Sequence, residues 1–170
     1  MSHRKVVKRT GKTGILILLA TLAFYTLGFA PGIAITVTGS WSLSIGQADL
    51  QGAAGSDLTT YYESATTQLT MAISGSRGHT WRVDVKRVDS TWHGNFGLSI
   101  KRTNGGTSGT GSLYAGGTEY GLITTSNQTF WTGIGDRAGI YLQYKLDGVS
   151  CAIPAASYST TVYFTVVQTN

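Results

Sequence analysis

Between Ile35 and Ile45 the chain reads ITVTGSWSLSI. Ile35, Val37, Trp41, Leu43 and Ile45 take the odd positions, hydroxyl residues take the even ones, and Gly39 alone leaves a gap on the apolar side. Successive side chains of a strand point to opposite faces, so this period of two predicts a strand over 35–45 with a core face and a hydroxyl face. The pattern returns five times. Leu69, Met71 and Ile73 alternate with polar residues between Gln68 and Ser74, and Trp81, Val83 and Val85 alternate with Arg82, Asp84 and Lys86. Phe96, Leu98 and Ile100 form a third set, Ile140, Leu142, Tyr144 and Leu146 a fourth, and Tyr158, Val162, Phe164 and Val166 a fifth. Weaker strands are predicted at Ser112–Tyr114, Glu119–Thr124 and Gln128–Thr132.

Register is set by keeping apolar side chains on one face. On that ground the strands at Trp81–Lys86 and Phe96–Ile100 are expected to pair as a hairpin, Val83 facing Ile100 and Val85 facing Leu98. Arg82 then stands opposite Lys101. The polar stretch from Gly46 to Thr66 is long for a β connection, with a short strand or turn expected near Leu58 to Tyr62. In DGVSCAIPAAS, Pro154 bars a strand from continuing and marks a crossing loop. No helix is predicted after residue 34, and no repeat of fixed period is present. These features predict an all-β chain: a two-sheet antiparallel β-sandwich, Ig-like or jelly-roll-like, of about eight strands in a single domain over residues 35–170. Trp41, Trp81, Leu98, Leu142 and Phe164 are expected in its core.

Residues 1–34 have the form of a secretory signal: a basic start from His3 to Lys12, an apolar run from Ile15 to Phe24, and small residues at Gly32 and Ala34. Cleavage after Ala34 makes Ile35 the first residue of the exported form. The alternative is an uncleaved anchor, because no charge occurs from Ile15 to Ile35 and that length spans a bilayer. Either way the basic residues stay inside and the domain lies outside, secreted or at the cell surface. The only membrane contact expected is through this segment, if it is kept.

The leader also accounts for the charge. The net +5 comes from Arg4, Lys5, Lys8, Arg9 and Lys12, and no acid precedes Asp49, so the rest of the chain is formally neutral. A nucleic-acid partner is therefore not expected. Cys151 is the single cysteine and has no partner for an intramolecular disulfide. It is expected to be a small buried hydrophobe, with an intermolecular bridge or a reactive thiol as alternatives.

Catalytic chemistry finds little footing. His79 and His93 fall in or beside predicted turns, and no GxSxG, HExxH or SxxK occurs. Asp49, Asp57 and Glu63 lack the spacing of a calcium loop. NGGTSGTG, from 104 to 111, lacks the Lys-Ser/Thr pair of a phosphate loop. The chain is read as a non-enzyme without cofactor or metal. Two roles are then open. Tyr61, Tyr62, Trp92 and Trp131, with Tyr120 nearby, form a candidate aromatic platform for stacking on sugar rings, which makes an extracellular carbohydrate-binding module.

The other role comes from the two ends of the domain. AASYSTTVYFTVV resembles the closing strand of secreted bacterial β-sandwich subunits, such as pilus and coat-protein-U-like domains. The cysteines usual in those families are not in evidence, and the resemblance assigns no functional residue. It implies an exported structural or adhesive surface protein, a subunit of a self-assembling fibre. The 35–45 strand gives that idea a mechanism, because Ile35, Val37, Trp41, Leu43 and Ile45 can complete the chain's own sheet or a neighbour's.

Overall fold

In a computed structural model, which describes residues 32–53, 55–108 and 112–170, the alternations become strands. In chain order these are β1 (Ala34–Thr38), β2 (Tyr61–Glu63), β3 (Leu69–Ser74), β4 (Thr80–Thr91), β5 (Gly97–Arg102) and β6 (Thr107–Ser108). They continue with β7 (Leu113–Gly116), β8 (Gly121–Leu122), β9 (Gln128–Ile134), β10 (Arg137–Asp147) and β11 (Ser159–Gln168). Among the described residues the strand outside the predicted set is the two-residue β6; β8 falls within the strand expected at Glu119–Thr124, and β2 overlaps the short strand or turn expected near Leu58 to Tyr62. The leader expected at 1–34 lies outside the described residues as far as position 31. The expected cleavage point, after Ala34, falls at the start of β1. Residues 109–111 of the 104–111 loop also lie outside.

The strands build two antiparallel sheets that pack as a sandwich. The larger runs β1-β3-β10-β5-β8, with β2 and β6 also on β10, and the smaller runs β11-β4-β9-β7. β10 is the hub of the larger sheet. Ile140, Leu142, Tyr144 and Leu146 turn inward and are buried, while Tyr141 faces out. Met71, Ile73, Leu98 and Ile100 meet them from the same sheet, and Trp81, Val83, Val85 and Trp131 from the opposite one. Trp81 and Trp131 pack edge to face with ring centroids 5.0 Å apart, and the Trp81 Nε1–H donates to Gly135 O at 2.9 Å. Burying an indole is favourable here because its one polar group is satisfied.

Four expectations need correction. First, β4 and β5 are not a hairpin. β4 pairs with β11 and β9, whereas β5 pairs with β10 and β8, so Val83 and Ile100 face each other's sheets across the core. The intervening residues cross from one sheet to the other. There Phe96 N–H donates to His93 O at 3.0 Å and the Trp92 Nε1–H to Phe96 O at 3.2 Å. Arg82 therefore meets Asp84 at 3.0 Å and not Lys101.

Second, the first strand ends at Thr38. Gly39 has φ +120°, and a Cβ there would stand 2.5 Å from the carbonyl oxygen of Gln68, so the chain leaves the ladder at the gap in its apolar face. Third, Phe164 is only half-buried, because β11 is the last strand of its sheet. Fourth, Cys151 is exposed. Its N–H donates to an Asp57 carboxylate oxygen at 2.8 Å, and that tether turns the loop with the thiol outward.

The two ends of the sandwich differ. Gly32 lies beside Gly75, and the Thr80 N–H donates to the Asn170 side chain at 2.9 Å, so the start of the described chain and its last residue share one end. The loops at 46–58, 92–96 and 148–158 gather at the other.

Candidate functional site

The proposed platform residues do not come together as one exposed face. Trp131 is buried in the core, and a register shift in the β4–β9 ladder places both Phe130 and Trp131 inside. Trp92 is half-buried, edge-on to Phe96 at 5.4 Å, with the Arg87 guanidinium 5.3 Å from its ring centre. The Tyr62 hydroxyl is buried. Tyr61 alone of the four is well exposed, at 51%. It belongs to a small cluster on the outer face of the larger sheet that the sequence reading did not assemble. Lys145 Nζ lies 5.8 Å from the Tyr61 ring centre and 5.2 Å from that of Tyr120, and Lys101 Nζ is 4.3 Å from Tyr120. Burial, and then the neighbouring Glu63 carboxylate, push the Tyr120 phenol pKa up. Such stacked ammonium groups occupy the faces of these rings.

The self-association residues are seated in their own chain. β1 pairs antiparallel with β3, Ile35 opposite Ile73 and Val37 opposite Met71. Val37 and Trp41 are buried, and Ile35, Leu43 and Ile45 pack half-buried against the core. Beyond Gly39 the alternation resumes without a ladder. The Gln68 side chain donates to Ser40 O and ties this segment down.

At the loop end, a cavity of about 290 Å³ opens between the 46–58 and 148–158 loops. Ile45, Leu50, Leu58, Phe96, Val149 and Ile153 are among the apolar residues of its wall, and no charged side chain lines it. Asp49 and Asp57, two of the three acids without calcium-loop spacing, serve as tethers here. The Asp49 carboxylate accepts the Gly46 N–H at 2.8 Å. That of Asp57 accepts from the Cys151 and Leu58 N–H groups and from the Ser150 hydroxyl, in that order of effect on its pKa, which they hold below the usual carboxylate value. Among the described residues no three His, Cys, Asp or Glu side chains gather as metal ligands do.

The feature with most chemical consequence is the free side of β11. Thr169 N–H donates to Thr80 O at 3.0 Å, which makes these two a hydrogen-bonded pair. Such pairs recur at every second residue of an antiparallel ladder. Val167, Thr165 and Tyr163 therefore exchange bonds with β4, while the backbone groups of Val162, Phe164 and Val166 turn to the open side. Those three have no backbone hydrogen-bond partner among the described residues. β11 carries no charged side chain, and none occurs anywhere after Asp147. Natural sheets usually blunt such an edge with lysine, proline, a bulge or brevity. The other outer strands follow that rule by brevity: β1 has 5 residues, β7 has 4 and β8 has 2, against 10 in β11. Sequence reasoning missed this edge because alternation reports which face is buried, not which strand lies last. The run without charge after Asp147 was the available signal.

Compared with protein-family models, characterised proteins and solved structures, the chain matches none.

Proposed function

We propose that this chain is an exported, non-enzymatic structural or adhesive protein of the cell surface that assembles with copies of itself through an open sheet edge. The observation that carries this reading is β11, ten residues long, uncharged, and paired with a strand on one side only among the described residues. Backbone groups on a free edge supply affinity to any strand that pairs with them. The basic and apolar leader supports export, and the formally neutral remainder puts no charge barrier between copies. Strand donation by residues 35–45 is not needed in this scheme, since Val37 and Trp41 already fill their own core.

The test is to express the whole chain with its own leader, recover the exported protein, and measure its mass by light scattering over a range of concentrations. Assembly without added ligand is the expected result. Protein that stays in the cytoplasm, or a monomer at every concentration, would sink the reading. A monomer retained on polysaccharide would put carbohydrate binding in its place, with Tyr61 as the first residue to mutate.

A further inference from the structure

We infer that the partner at this edge is a second copy of the chain, bound by antiparallel pairing of β11 with β11 about a two-fold axis at Phe164. This rests on the assembly reading above and adds the surface and its symmetry. The regular ladder with β4 runs from Thr160 to Gln168, after a register shift at Ser159, and Phe164 is its midpoint. An axis there overlaps the whole strand with its copy. It sets Phe164 against Phe164 and Val162 against Val166, each pair exchanging two backbone bonds. A two-fold contact uses the same patch on both copies, and this patch is self-complementary.

The side chains agree with that register. On the inner face, Phe164 and Val166 are only half-buried because no described strand lies beyond β11, and the second copy covers them. On the outer face, Tyr163 meets Thr165 and Thr161 meets Val167. No like charges oppose one another, and aromatic and β-branched pairs are the favourable ones across strands. The two small sheets become one continuous sheet through the junction. Within a single copy no described strand competes for the place: β1, the nearest strand of the larger sheet, is hydrogen-bonded to β3.

Amide hydrogen exchange, followed residue by residue while the protein concentration is raised, reads the register directly. The N–H groups of Val162, Phe164 and Val166 are expected to slow by about tenfold or more as dimer forms. Those of Tyr163 and Thr165, already bonded to β4, should change less. Dimer that leaves the first three amides fast would place assembly elsewhere, overturning this inference and the open-edge part of the proposed function while sparing self-association itself. A monomer up to about 1 mM would end both.

Val166→Pro gives a second arm. Proline there removes an N–H that β4 does not use, so a folded monomer is the expected product. A folded Val166→Pro dimer would overturn the inference. If that variant does not fold, Thr165→Lys decides. Thr165 is exposed and stands opposite Asp84 on β4, so the fold tolerates a lysine there, while two copies at the junction repel. Dimer affinity should fall severalfold. Unchanged affinity in a folded Thr165→Lys protein would refute the pairing.

Discussion

Trp41 lies flat against Tyr144, with ring centroids 6.1 Å apart and planes 15° from parallel. One ring belongs to the segment that follows β1, the other to the middle of β10, so the contact fastens the start of the domain to the hub of the larger sheet. Replacing Trp41 with alanine removes a buried indole and is expected to lower the unfolding free energy by about 3–5 kcal/mol. Denaturant melts with an unchanged slope would measure it. A loss under about 1 kcal/mol would mean that the 39–45 segment is not part of the core.

Tyr144 offers the opposite test. Its ring is fully buried, its hydroxyl has no hydrogen-bond partner among the described residues, and burial raises its pKa. A buried donor left without a partner is costly, so Tyr144→Phe should keep the stacking on Trp41 and gain about 1 kcal/mol. A clear fall in melting temperature would show that the hydroxyl is bonded in solution.

Gly39 interrupts the apolar alternation at the point where the ladder ends. Filling the gap with valine puts a β-branched residue at φ +120°, with its Cβ directed at the Gln68 carbonyl. Gly39→Val is therefore expected to destabilise by about 1–3 kcal/mol or more, in the range of other strained backbone positions. Stability equal to the parent would imply that 35–45 runs as one straight strand.

Acid should loosen the end of the sandwich that holds Gly32 and Asn170. The Asp136 carboxylate accepts the Ser76 hydroxyl at 2.6 Å and the Ser76 and Gly75 N–H groups, and these bonds, the hydroxyl first, hold its pKa below the ordinary value. A pKa lowered by folding contributes stability above the unfolded value, near pH 4, and that contribution is lost as the pH falls through the folded one. Asp136→Asn should be less stable than the parent at pH 7, and the difference should shrink below about pH 4. A difference that is constant from pH 7 to pH 3 would show that the carboxylate's charge is not what matters.

The inward residues of β3, β4, β5 and β10 were legible because the large apolar side chains of each strand share one face, and a period of two marks that face directly even where Asp84, Ser99 and Gln143 are buried on the other. Partnership was not. Val83 and Ile100 carry the same parity whether their strands lie side by side or face each other, and only the path of residues 92–96 decides between these. At Phe130–Trp131 the register shift buries two neighbours in a row, which breaks the alternation and hides a core tryptophan among surface candidates. Cys151 was misplaced for a different reason: its position follows from a hydrogen bond to Asp57, far away in sequence. The edge status of β11 depends on which strand has no outer neighbour, and the absence of charge after Asp147 was its only local trace.

The shared end of Gly32 and Asn170 gives the molecule a handle and a tip. β4 runs the length between them, roughly 40 Å for its twelve residues at the usual rise. Pairing β11 with its copy in antiparallel fashion turns one molecule head to tail against the other, so the two handles point in opposite directions. If the leader is kept as an anchor, two copies held by it in one membrane cannot meet in the proposed way while both stand upright. Copies held on two facing membranes can, and the junction then becomes a bridge whose span is set by the lengths of the strands.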